Sequence, residues 1–260
     1  MSRSLKIGFF LGLFVLLGLI VWLVLRVRGS EPIVQGKPLS HWLAQSQLPN
    51  PDPQARAKAI EIIDAVGTNS IPTLLRFLRS HDSNLQRTLI GLLKRQGIVR
   101  VRLISDYQRN YQGALGFARL GATAHDAVPE LIKIYKEDIS PTSRFWVITS
   151  LGSIGPPASN AIPLLASGLT NTNTSLGVRL SCVSSLQAIH AAPELTIPAL
   201  INALGDQQPQ VRYYALIALG TFGREAKPAA PALTNLLHDP DLNVKQRAAD
   251  LLSSIQEKDG

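Results

Sequence analysis

Cysteine and methionine occur once each among 260 residues, and aromatic side chains make up only 6%. A lone cysteine, Cys182, excludes a disulfide framework, a cysteine-based zinc cluster and an iron–sulfur site. Its distance from the start also excludes a lipid-modified cysteine near the amino terminus. The five histidines are scattered and form no ligand pair at helical spacing. The chain has no H-E-x-x-H, G-x-S-x-G, P-loop or G-x-G-x-x-G motif. Cys182 stands in an apolar run with Leu180, Val183 and Leu186, which predicts a core thiol rather than a nucleophile. The residues therefore point to a non-catalytic protein with no cofactor and no metal site.

What is present starts with a long apolar run. Ile7 to Leu25 holds 19 residues without a charge, roughly 28 Å as a helix, against a hydrocarbon core of ~30 Å. Arg3 and Lys6 flank one end, Arg26 and Arg28 the other, and Trp22 stands where an interfacial ring belongs. A cleaved signal would have a shorter apolar region and a small-residue site, whereas this run continues into Leu25-Arg26-Val27-Arg28. The expectation is a single-pass anchor, with domains at 1–28 (anchor and flanks), 29–52 (linker and short capping helix) and 53–256. The Lys/Arg balance across the span is nearly even. Short-tailed anchors keep the tail inside, which places the large domain on the exported, periplasmic side. Gly8 and Gly12 form a G-x-x-x-G spacing that lets two spans approach as a dimer.

The net charge is 26 − 18 = +8. Half of it, four bases and no acid, belongs to residues 1–30, so the basicity partly reflects membrane flanks and argues little for nucleic acid. A second basic run, Arg87, Lys94, Arg95, Arg100, Arg102 and Arg109, is opposed within 87–109 only by Asp106. Anionic lipid headgroups could attract it, and no aromatic platform for single strands is interleaved.

A repeat organises the remainder. GATAHDAVPELI (121–132), GPPASNAIPLLA (155–166), HAAPELTIPALI (190–201) and GREAKPAAPALT (223–234) place Pro129, Pro163, Pro198 and Pro231 at steps of 34, 35 and 33. A shortened copy, GTNSIPTLL (67–75), carries Pro72. Apolar residues before each turn recur at helical spacing, as in Val211, Ala215, Ala218, Leu219 and Phe222. Glycine then ends the first helix in a left-handed cap, and proline enters the first turn of the second. Positions two, three and six after each proline are mostly apolar, a stripe that only neighbouring repeats can bury. Residues 83–105 lack this spacing and read as a degenerate repeat, while 241–256 reads as a terminal polar helix. Ser40 is expected to cap a short helix from His41, with Trp42 and Leu43 covering the open end of the first repeat.

A second ladder runs through the first helices. Arg56, Arg144, Arg179, Arg212 and Lys245 each follow, by six residues, Asn50, Asp138, Asn173, Asp206 and Asp239. Asn110 stands where a base is expected. This recurrence resembles HEAT repeats, and GKPLSHWL (36–43) is similar to the lead-in of membrane-anchored bacterial proteins with HEAT-like repeats. The resemblance implies an all-α solenoid of helix pairs, an Asp/Arg ladder hydrogen-bonded along the stacked turns, and second helices lining a concave face. On that face it implies two columns. Four residues after each proline stand Arg76, Lys133, Ser167, Asn202 and Asn235; seven after stand Arg79, Lys136, Thr170, Gly205 and His238. These contain no acid, are basic near the anchor and are neutral-polar farther away. The expected function is a membrane-anchored scaffold binding a protein partner along this face. The alternatives are a HEAT-like enzyme or accessory subunit related to lyases or glycosylases, and a polyanion binder.

Overall fold

The computed structural model describes Gly18 and residues 31–47, 52–81 and 105–256. The apolar span 7–25 (Gly18 apart), Gly8 and Gly12, Asn50, and residues 87–104 of the basic run lie outside the described residues. Among the described residues no helix is long and apolar enough to cross a membrane.

The described chain is helical apart from one small hairpin. Strands β1 (Ile33–Val34) and β2 (Lys37–Pro38) pair antiparallel around Gln35 and Gly36, both at positive φ, as a tight two-residue turn requires. Helix α1 (Leu39–Gln45) follows. Its Trp42 indole N–H donates to the Val34 carbonyl at 3.0 Å, and Trp42 and Leu43 are buried as expected. The cap is different. The helix starts at Leu39, without a side-chain cap, and Ser40 lies inside its first turn. Glu31 Oε2 accepts from the Ser40 backbone N–H at 3.1 Å, doing for an unpaired helix-end donor what the serine hydroxyl was expected to do.

Five helix pairs come next: α2 (Pro53–Val66) with α3 (Ile71–Leu78), α4 (Asp106–Leu120) with α5 (Val128–Glu137), α6 (Pro141–Ile154) with α7 (Ile162–Thr170), α8 (Leu176–Ile189) with α9 (Pro193–Ala203), and α10 (Pro209–Thr221) with α11 (Ala230–Leu236). A last helix, α12 (Leu242–Gln256), closes the stack. Successive first helices lie side by side, and each second helix is wedged against the first helix of the next pair. The core is one continuous apolar cluster running from Leu39 to Ile255. No single pair could bury its own stripe, so the stack is the folding unit.

Turn chemistry decides how each pair closes. Gly67, Gly121 and Gly155 have φ of 52°, 52° and 77° with ψ near −140°. This is not the left-handed helical cap expected from sequence but a region that essentially only glycine enters. A short 3-10 turn follows each of them, as it does after Gly223. His190 carries a Cβ and is barred from that region; it adopts the true left-handed conformation, φ 44° and ψ 47°. The chain then needs a second left-handed residue, Ala192, and goes directly into α9 without a 3-10 turn. That earlier start corrects the placement of one proline. Pro72, Pro129, Pro163 and Pro231 stand in first turns, whereas Pro198 is inside α9, which begins at Pro193.

Burial also corrects the apolar stripe. Leu74, Leu131, Leu165, Leu200 and Leu233, two residues after the prolines, are fully buried. The third position is only half-buried or exposed, and the fifth (Phe77, Ile134, Gly168, Ala203, Leu236) is buried throughout. Side chains three apart complete a helical face better than adjacent ones do.

The segment 83–105, expected to be a degenerate repeat, falls almost wholly outside the described residues. The helices that flank it touch. Asn110, fully buried, donates its amide to the Phe77 carbonyl at 2.7 Å and the Ser80 carbonyl at 3.1 Å. Arg119 of α4 grips Asp64 of α2 with its Nη2 at 2.5 Å from Oδ2. The α2–α3 and α4–α5 pairs are therefore in direct contact. Elsewhere three to five residues join one pair to the next; here Arg79 to Ser105 do so.

Candidate interaction face

The base–acid ladder has a direction that its spacing does not reveal. Arg179 donates from Nε to Asp206 Oδ2 at 2.8 Å and from Nη1 to the Thr174 carbonyl at 2.7 Å. Arg212 repeats this, with Nε 2.8 Å from Asp239 Oδ2, Nη2 2.7 Å from Oδ1, and Nη1 on the Asp206 carbonyl. Each arginine thus reaches 27 residues forward, to the acid that opens the next pair. Both pairs are nearly enclosed. Each acid also accepts from the backbone N–H two residues on, at Gln208 and Asp241, so it pins a turn and a neighbour together. Burial alone would raise the Asp239 carboxyl, but the Arg212 hydrogen bond and the Asp241 backbone N–H outweigh it and hold the group below the usual carboxylate range.

The remaining ladder positions depart from this pattern. Arg144 has Asn171, not an acid, 27 residues ahead and instead turns back to Asp138 of its own turn. Arg56 and Lys245 are exposed at the two ends of the stack. Asn110 replaces the guanidinium with an amide that ties off the carbonyls ending α3.

The second-helix columns fall into two groups. Lys133, Lys136, Ser167, Thr170, Asn202, Gly205, Asn235 and His238 are exposed, and Arg76 and Arg79 are half-buried. Arg79 is held by α5. Its Nη2 lies 2.5 Å from Glu130 Oε1 and its Nε 3.2 Å from Glu137 Oε2. Glu130 also has the Lys133 ammonium at 3.8 Å. The Glu137 hydrogen bond, followed by that of Glu130, lifts the Arg79 guanidinium above its ordinary value, and Arg79 in turn lowers Glu130. Although the columns contain no acid, these two adjacent carboxylates offset much of their charge. The strongly basic end expected from sequence is thus a cross-linked, mixed-sign patch joining α3 to α5. Beyond it the column residues include no acid, lysine or arginine, and Phe145 to Val178 contain no acid, base or histidine at all.

Residues outside the columns complete the inventory. Cys182 is fully buried and its thiol is pushed up to about 12 by that burial. His41 packs edge-on against Trp42 at 5.1 Å between centroids. A cavity of about 530 Å³ between the hairpin and α2 is lined by residues such as Val34, Gln54, Lys58, Glu61 and Ile62, with no cysteine, serine, threonine or histidine. No cluster of metal-ligating side chains exists among the described residues. Sequence reading missed one surface feature. Tyr107 and Tyr111 of α4 meet Trp146 of α6 at 5.9 and 5.1 Å, and Phe145 adjoins it at 4.9 Å. The one available signal was the four-residue spacing of the two tyrosines; their contact with Trp146 comes from stacking.

Residues 197–260 match the family model for HEAT repeats. That stretch begins within α9 and covers the last complete pair and the terminal helix. No curated protein matches the chain. Among solved structures, the crystal structure of an engineered protein from the Northeast Structural Genomics Consortium is similar over 84% of this chain and 96% of its own, at 16% identity and a TM-score of 0.45.

Proposed function

We propose that the chain is a membrane-anchored, non-catalytic scaffold that binds an extended segment of a partner protein along its second-helix face. The observation that carries this reading is the register of that face. Lys133, Ser167, Asn202 and Asn235 each stand two residues after the fully buried leucine of four successive second helices and are all exposed. Stacking on a shared core holds such a row without further ordering, so a partner would find its contacts already placed. The HEAT-repeat match at the carboxy-terminal end supports the solenoid part of the reading. The apolar run from Ile7 to Leu25 supports the anchor.

A photo-crosslinking residue at Asn202 or Asn235, in the full chain in its native membrane, tests the face. Discrete adducts from both sites, and none from Ser184 on the exposed side of α8, are expected. Equal labelling from all three sites would remove the reading. Alkaline extraction tests the anchor separately, since a peripheral chain would be released.

A further inference from the structure

The end of the solenoid that follows the apolar run is built unlike a linker. Pro32 and Glu31 are tied to α1: the Leu39 N–H donates to the Pro32 carbonyl at 3.0 Å, and the Ser40 N–H to Glu31 at 3.1 Å. The hairpin is fastened by Trp42 on Val34. Rigid structure thus begins at Glu31, and only residues 26–30 separate it from Leu25. Even fully extended, the six steps from Leu25 to Glu31 span roughly 20 Å. Strand alternation sends Val34 toward the core and Ile33 the opposite way. Ile33 is 66% exposed, with Pro38 opposite it across the hairpin, while the exposed Lys37 stands opposite Val34. A bilayer within reach of so short a tether would give this side chain an apolar surface to enter. An exposed apolar side chain on so short a tether suits the boundary between headgroups and acyl chains.

We propose that the Ile33–Pro38 hairpin is a lipid-facing foot, with Ile33 entering the headgroup layer of the membrane that holds the anchor and setting the solenoid end-on to the bilayer. This rests on the single-pass reading of Ile7 to Leu25.

The test uses the full chain reconstituted in phosphatidylcholine–phosphatidylglycerol vesicles. Ile33→Cys is labelled with an environment-sensitive dye, and Leu242→Cys, 77% exposed near the far end of the stack, serves as the distal probe. The native Cys182 is fully buried and does not compete for the label. The expected result is blue-shifted emission at position 33 and severalfold stronger quenching there by shallow spin-labelled lipid than at position 242. Water-like emission at both positions, from chains that resist alkaline extraction, overturns the foot and leaves the anchor standing. Release of the chain by alkaline extraction overturns the anchor, and the foot with it.

Discussion

Arg212 clamps Asp239 through two nearly parallel hydrogen bonds, at 2.7 and 2.8 Å, across the boundary between one helix pair and the next. Its third contact, to the Asp206 carbonyl at 2.9 Å, secures the turn from which its own helix starts. Asp206 is in turn the acid held by Arg179. One arginine therefore connects two links of the ladder, and cutting it leaves a nearly enclosed carboxylate without its cation.

Arg212→Ala and Arg179→Ala should each lower stability by about 1–3 kcal/mol, the cost of orphaning an enclosed hydrogen-bonded charge. Arg144→Ala should cost less, because its partner Asp138 is 63% exposed and belongs to the same turn. Denaturant melts of the three variants check this ordering. An Arg144 loss equal to the other two would count against forward pairing as the source of the energy.

The Asp239 carboxyl is held below its unfolded range, so its contribution is fully present above the unfolded value and fades as pH falls through the folded one. Asp239→Asn should therefore destabilise the protein at neutral pH, and its penalty should shrink as pH falls below about 4. Melts of the variant and the parent across that range should converge. A penalty independent of pH would mean that shape, not charge, holds the turn.

First helices approach each other through small residues, and Gly152 marks the tightest case on α6. A Cβ built there would lie 2.6 Å from Ser185 Oγ and 2.9 Å from Ser185 Cα, so main chain as well as side chain would have to move. Gly152→Ala is expected to cost about 1–3 kcal/mol by overpacking. Gly205→Ala, whose nearest neighbour to a new Cβ is at 3.5 Å, should be close to neutral. Thermal unfolding of the two variants distinguishes tight packing from a general intolerance of side chains at glycine.

Direct packing of α3 on α4 predicts that residues 83–104 can be replaced by a short flexible loop like those joining the other pairs. Helical circular dichroism per residue of the described fold and the melting midpoint should both persist. Collapse of the midpoint would show that the segment contributes to the core, contrary to the Asn110 and Arg119 contacts that bridge its ends.

Much of this architecture is legible in one dimension because repeats are local. The period near 34, the glycine turns and the early prolines act within a helix or its cap, where neighbours in sequence are neighbours in space. Even where a local rule was misapplied, the cause was local. Ser40 was assigned a capping role that Glu31 fills, and His190 shifted the start of α9 because a Cβ excludes the conformation glycine uses at the other turns.

Pairings between elements were decided only in three dimensions. The six-residue spacing of each acid and base does not say which turn a base bonds, and stacking lets Arg179 and Arg212 reach 27 residues ahead to the next turn. Spacing likewise left Arg79 as a free base, until α5 brought Glu130 and Glu137 against it. Helical periodicity specifies which residues share a face. Which face meets which depends on the rise and twist of the stack, and these are set by packing volumes at contacts such as Gly152 on Ser185, which no local pattern encodes.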